Sequence, residues 1–286
     1  GVQWVPHGDI LRFEETVHLV RLLSGLGIRR VRLTGGEPLV REGILDLAAA
    51  LHALPGIDEI HLTTNGVLFA PMADPLRQAG IHGVNFSLDT LQPDIFRRIT
   101  RTDQFAAARA GIDKALEAGF PSVKVNCVLM RGINDGEAAA LAALAKDAPL
   151  EVRFIEMMPM CDSSGFGPEA YIPFTRVLEA LPEAVPAAKD GGIAKLFHLP
   201  GALGNIGLIS PVSAHFCGEC NRIRLTADGK VKPCLHSNAE YPLKGLDFDG
   251  MKAQLEAAIL GKPQWHGNLD AAHKSGAGRN MNQIGG

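Results

Sequence analysis

Three of the chain's five cysteines, Cys217, Cys220 and Cys234, fall within 18 residues of one another. Thiolates at that spacing hold either a zinc ion or an iron–sulfur cluster, and the spacing alone leaves both open. A closed zinc site takes four ligands, and His236 or His215 would complete one here. Three ligands alone leave one metal position free, as reactive sites do. Arg222 and Arg224 follow Cys220 almost directly. The stretch 221–226 reads as a strand, which would send residues two apart, and so both guanidinium groups, to one face. Paired arginines beside an open metal position make a receptacle for a phosphorylated ligand. The inert alternatives are three buried thiols and a solvated strand face.

Something must carry that segment. Apolar periodicity predicts helices over 13–26, 44–54, 72–78, 104–118, 136–146 and 173–181. They alternate with strands over 31–34, 59–63, 84–87, 123–129 and 150–156. Strand–helix repetition with short loops implies a parallel sheet covered by helices. The strands end on polar residues: Thr34-Gly35-Gly36-Glu37-Pro38, Thr63-Thr64-Asn65-Gly66, Ser87-Leu88-Asp89-Thr90, Lys124-Val125-Asn126 and Arg153-Phe154-Ile155-Glu156-Met157-Met158. Ligands of βα sheets bind at that end, so five polar ends in series point to one shared ligand. Past Leu181 the pattern changes to a Pro- and Ala-rich linker over 182–192. Short extended pieces at 194–198 and 206–209, the cysteine segment and a helix near 248–260 follow. This predicts two parts, an α/β body over 1–183 and a smaller α+β extension over 184–286.

Bulk properties narrow the function classes. With 46% hydrophobic residues the chain can bury a core, and a net charge of −3 argues against a nucleic-acid partner. No apolar run reaches bilayer length and no signal peptide is visible, which argues against a membrane. The metal-like cysteine pattern fits a reducing cytoplasm. Cys127 and Cys161 read as isolated core thiols, and His7, His18, His52, His61, His82, His198, His266 and His273 as surface or satisfied core residues. The opening at Gly1 reads as a loop already in progress, so an upstream segment is expected.

Together, Leu33-Thr34-Gly35-Gly36-Glu37-Pro38, the strand ends, Cys217-Gly218-Glu219-Cys220-Asn221-Arg222-Ile223-Arg224 with Cys234, and the terminal Gly285-Gly286 resemble the radical S-adenosylmethionine enzymes. Within these the chain is similar to the GTP 3′,8-cyclase family of molybdenum cofactor biosynthesis. The resemblance implies a partial (βα)6 TIM-like barrel, here lacking its first strand, whose mouth a C-terminal α+β extension closes. It implies a 4Fe–4S cluster on Cys217, Cys220 and Cys234 whose open iron meets the guanine of GTP. Arg32, Thr63, Lys124, Arg222 and Arg224 would bind GTP. Gly36, Glu37, Ser87 and Met158 would bind S-adenosylmethionine, with Glu37 reaching its amino group. Gly285 and Gly286 would reach into the active site. The implied reaction is a lyase chemistry in which a radical from S-adenosylmethionine takes the 3′ hydrogen of GTP and the ribose carbon closes on C8. Implied partners are an electron donor and the cyclic pyranopterin monophosphate synthase that takes the product onward.

The family's C-x3-C-x2-C motif for a second, N-terminal 4Fe–4S cluster is not found in these 286 residues. The expectation is that it lies upstream of Gly1 and that the polypeptide as given is inactive. A non-catalytic, zinc-stabilised GTP-binding scaffold is the rival reading.

Overall fold

The computed structural model describes residues 6–160, 166–188, 192–269, 275–279 and 281–284. Helix α1 (Phe13–Gly25) opens with the Arg12 backbone N–H donating to Glu15 Oε2 at 2.7 Å, the glutamate half of a capping box. It ends where Gly27 takes φ +97°. Then come β1 (Arg30–Leu33), α2 (Ile44–His52), β2 (Glu59–Thr64), α3 (Ala73–Gln78), β3 (Ile81–Ser87), α4 (Pro93–Thr100) and α5 (Phe105–Glu117). They are followed by β4 (Ser122–Val128), α6 (Ala138–Ala142), α7 (Leu144–Asp147), β5 (Glu151–Ile155) and α8 (Thr175–Ala180). The expected helix over 136–146 is thus split. Its first residues form a 3-10 turn, because the Glu137 carboxylate is taken up by Thr90 Oγ1 and the Leu91 N–H at 2.6 and 2.8 Å.

The sheet runs β1-β2-β3-β4-β5-β8-β7-β6, with β6 (Val185–Pro186), β7 (Lys195–His198) and β8 (Asn205–Ile209) completing it. β1 to β5 and β8 are parallel, whereas β7 pairs antiparallel with both β8 and β6. The extended piece at 206–209, expected in the C-terminal extension, is therefore a strand of the main sheet. Its apolar residues Ile206 and Leu208 are buried in the same core as β5. The chain is an α/β fold with a mostly parallel eight-stranded sheet, joined by a three-stranded antiparallel sheet of β9 (Arg224–Leu225), β10 (Lys230–Lys232) and β11 (Tyr241–Pro242). Helix α9 (Phe248–Leu260) and the short α10 (Met281–Ile284) follow. The strand expected over 221–226 is paired only at Arg224 and Leu225, opposite Lys232 and Val231, so Arg222 lies in the loop before it.

Two-residue periodicity separates core from site. In β4, Val123, Val125 and Cys127 are buried under the helices, while Ser122, Lys124 and Asn126 face the other way, into a cavity. Leu62, Val84, Phe86, Val152 and Phe154 extend the same core, and Phe69 meets Phe86 edge-on at 5.0 Å. Helix α5 lies against the loop after β2 through glycines. Gly66 has φ +82°, and a Cβ on Gly111 would stand 2.6 Å from the Gly66 carbonyl oxygen. A second core packs Leu19 and Leu23 of α1 against Val231, Leu243, Leu255 and Ala258, so the first helix is the floor of the three-stranded sheet.

Candidate functional site

The parallel register lays the inward side chains of the main sheet in rungs. One rung is Thr63, Asn85, Lys124, Glu151 and Asn205, each the register partner of the next. The next rung towards the strand ends is Ser87, Asn126, Arg153 and Gly207. Neighbouring strands stand about 4.8 Å apart, so a rung presents its groups at spacings suited to contacting one small ligand. Apart from Glu151, Asn205 and Gly207, these residues line a cavity of about 1960 Å³.

The cationic side chains that share that lining include Arg32, Lys124 and Arg153 from the sheet, and Arg222 and Arg224 from the cysteine segment. Arg32 donates to Thr63 Oγ1 at 3.4 Å. It is open to the cavity yet ringed by protein. Burial, then the charges of Arg222 and Arg153, lower its pKa to about 10, which leaves it charged at neutral pH. Burial also pulls down Arg222 and Arg224, with the Cys220 thiol opposing. Glu151 offsets part of this charge by bridging Lys124 Nζ at 2.9 Å and Arg153 Nε at 2.5 Å. Guanidinium groups held this close repel each other, and a polyanionic ligand relieves that cost. Among the described residues, Asn85 Oδ1 and Asn126 Oδ1 are buried without a hydrogen-bond partner. Hydroxyl or amino groups of a ligand would satisfy such acceptors.

Ser87 and Met158 also line the cavity; Gly36 and Glu37 do not, although Thr34 and Pro38 beside them do. The Glu37 carboxylate accepts from the Leu39 N–H at 3.1 Å, Thr64 Oγ1 at 2.8 Å and the Asn65 N–H at 2.7 Å. It thereby joins the loops after β1 and β2. An ionised carboxylate has about four acceptor positions, so one remains for an ammonium group. Glu156 has a comparable task. It accepts from Tyr171 Oη, Ser213 Oγ and the N–H groups of Phe174, Val212 and Ser213 at 2.5–3.2 Å. Both glutamates hold the rim in shape, which their place at strand ends did not reveal. Asp89 faces the cavity too. Burial lifts its carboxyl to about 6 against the lowering effect of the Val128 N–H.

The three cysteines are partly accessible and sit outside the lining, next to Asn221, Arg222 and Leu235, which are in it. Cys217 opens a 3-10 turn whose C-cap is Cys220. Burial raises the Cys217 thiol, a backbone N–H of His266 lowers it, and Cys234 and Cys220 raise it further, so the three sulfurs are electrostatic neighbours. Among the described residues no three His, Cys, Asp or Glu side chains converge on a single-ion position. A four-iron cluster attaches each thiolate to a separate iron, so its ligands need no common focus, and this donor set fits it. His236, offered from sequence as a zinc ligand, hydrogen-bonds Ser275 Oγ through Nδ1 at 3.0 Å and packs on His266. Cys127 is fully buried, as expected; Cys161, Gly285 and Gly286 lie outside the described residues.

Sequence reasoning named Arg32, Thr63, Lys124, Arg222 and Arg224, and the fold brings all five to one cavity. It named Asn126 and Arg153 only as polar strand ends and passed over Asn85. Asn85 and Asn126 stand in the polar phase of β3 and β4, two residues from Ser87 and Lys124.

Comparison with known proteins adds the family. Residues 3–145 match the radical SAM superfamily, and residues 150–267 match the family described as Molybdenum Cofactor Synthesis C. The whole chain aligns with proteins named GTP 3′,8-cyclase from Alkaliphilus oremlandii at 42% identity and from Pelotomaculum thermopropionicum and Moorella thermoacetica at 44%, covering 90% of each. In fold it is similar to Streptococcus suis SuiB, solved bound to S-adenosylmethionine. The TM-score is 0.58 at 14% identity, over 83% of this chain and 57% of that one.

Proposed function

The chain belongs to the radical S-adenosylmethionine superfamily and, within it, to the GTP 3′,8-cyclases of molybdenum cofactor biosynthesis, and on that premise we propose the roles of its residues. The activity is that of a lyase acting on GTP with S-adenosylmethionine and a 4Fe–4S cluster. The observation that carries the residue assignment is the meeting of Arg222 and Arg224 with Arg32, Lys124 and Arg153 across one cavity. The triphosphate supplies the negative charge that this wall lacks, and the guanidinium forks fix its direction. Thr63 orients Arg32, and Glu151 holds Lys124 and Arg153 in place.

Cys217, Cys220 and Cys234 would hold a 4Fe–4S cluster, and with three thiolate ligands the cluster would supply an iron able to bind a ligand atom of GTP. Gly36, Glu37, Ser87 and Met158 hold S-adenosylmethionine at the strand ends, Glu37 through its one unused acceptor position. S-adenosylmethionine and a reduced cluster supply the radical that begins the reaction. The chain's own residues keep the ribose and the purine fixed in a cavity that limits access of water to the reacting atoms. Gly285 and Gly286 contribute at the same cavity. The sheet forms part of a βα barrel, with the three-stranded sheet as its closure. An electron donor and the synthase that consumes the product are the protein partners, in the cytoplasm. Among the described residues no helix is long and apolar enough to cross a membrane.

Binding tests this assignment without turnover. Arg222→Ala and Arg224→Ala should each weaken GTP binding by about 1.5–3 kcal/mol, the worth of a charge-assisted contact. Calorimetry reads this directly, and unchanged affinity in both variants removes the arginines from the site. Anaerobic preparations should contain iron and inorganic sulfide, lost together when Cys217 is changed to Ser. Stoichiometric zinc instead would replace the cluster with a structural metal.

A further inference from the structure

Residues 275–279 are tied down at several points. The Ser275 N–H donates to the Pro159 carbonyl at 2.8 Å, beside Met158, and Ser275 Oγ meets His236 Nδ1 at 3.0 Å. The Gly278 N–H donates to Asn238 Oδ1 at 2.6 Å. Arg279 then forks onto Glu240, Nε to Oε1 at 2.5 Å and Nη2 to Oε2 at 2.8 Å, and reaches Asp228 Oδ2 at 2.8 Å. Lys230 and Lys232 stand on the same carboxylates at 3.2–3.4 Å. Five residues further on, Ile284 is 6% exposed and forms part of the wall of the GTP cavity.

Chain ends fray unless something holds them. Here the holding contact is a planar guanidinium matched to two carboxylates, a geometry that lysine cannot reproduce. Its partners lie on either side of β10, in the sheet that also carries Arg224. The clamp therefore fixes the closing segment to the element that presents the arginines. We propose that Arg279 is a positioning residue, clamped between Asp228 and Glu240 so that the closing segment enters the cavity wall at Ile284. Its value to catalysis rests on the reading of Gly285 and Gly286 given above; the clamp itself does not.

Carboxypeptidase digestion followed by mass spectrometry tests the clamp on the chain as it is. Arg279→Ala should speed release of the C-terminal residues by about tenfold, the sign of a freely opening segment. Arg279→Lys should lie between, since it keeps the charge and loses the fork. Circular dichroism and GTP affinity should stay as in the parent, because Arg279 touches no nucleotide. An unchanged release rate in Arg279→Ala overturns the clamp. So does faster release that appears only with loss of ellipticity and GTP affinity; should the alanine variant not fold, Arg279→Lys decides by the same rate. If the clamp holds while removal of Gly285 and Gly286 leaves turnover intact in an enzyme with both clusters, the catalytic reading of the tail falls alone.

Discussion

In the core of the eight-stranded sheet Phe69 packs edge-on against Phe86 and at a tilt against Phe120, with ring centroids 5.0 and 5.6 Å apart. In the three-stranded sheet the corresponding work falls to Arg279, Asp228, Glu240, Lys230 and Lys232, over strands of two or three residues. The first region buries apolar surface continuously from β1 to β8; the second has a small core and borrows α1 for it. Hydrophobic burial is non-directional and does not depend on ionisation, whereas these partly buried ion pairs weaken in acid, when their carboxylates take up protons. The difference suits the two tasks. The rungs of the main sheet must hold fixed spacings, while in the proposed function the small sheet closes over a ligand that has to enter and leave.

Three experiments would break or sharpen that contrast. The largest effect is expected from Phe86→Ala, which empties a site 1% exposed between Phe69 and the main-sheet core. It should cost about 3–5 kcal/mol of stability in chemical denaturation. A loss below about 1 kcal/mol would mean that aromatic packing does not dominate the main sheet.

Next is Asp89→Asn. The folded carboxyl lies at about 6, above its ordinary value of 3.8, so between those pH values the folded chain binds more protons than the unfolded one. Stability contributed by the protonated group is present at low pH and is lost as pH rises through about 6. Asparagine keeps an acceptor for the Val128 N–H and carries no charge. The variant should therefore gain on the parent by about 1–3 kcal/mol at pH 8 and by little at pH 4. An equal difference at both pH values would show that Asp89 does not titrate in the fold.

The smallest effect is expected in the ionic region. Burial opposes it, but hydrogen bonds from Arg279 and Thr226 hold the Asp228 carboxyl below its usual range, and Arg279 does the same for Glu240. Their stabilisation is present above the unfolded carboxylate value near 4 and is lost as pH falls through the lower folded values. Amide-exchange protection of Leu225 and Val231 in the small sheet should fall on acidification before that of Val84 and Val125 in the main sheet. The difference should be on the order of 1 kcal/mol. Coincident transitions would make the two sheets one cooperative unit.

The sequence by itself determined what is local. Alternation along β4 separates Val123, Val125 and Cys127 from Ser122, Lys124 and Asn126 whatever the strand pairs with, because successive side chains leave a strand on opposite faces. The spacing of Cys217, Cys220, Arg222 and Arg224 is likewise covalent. What only the tertiary structure decided is who stands beside whom. Thr63, Asn85, Lys124 and Glu151 become one rung through register, which burial of the opposite, apolar face of each strand enforces. Nothing local marks β8 as a neighbour of β5, or Glu37 and Glu156 as braces of the rim. Nor does anything local say that Arg279 meets two carboxylates 39 and 51 residues away. Such contacts form only when packing closes the long loops between them, and the free energy of that closure belongs to the whole chain.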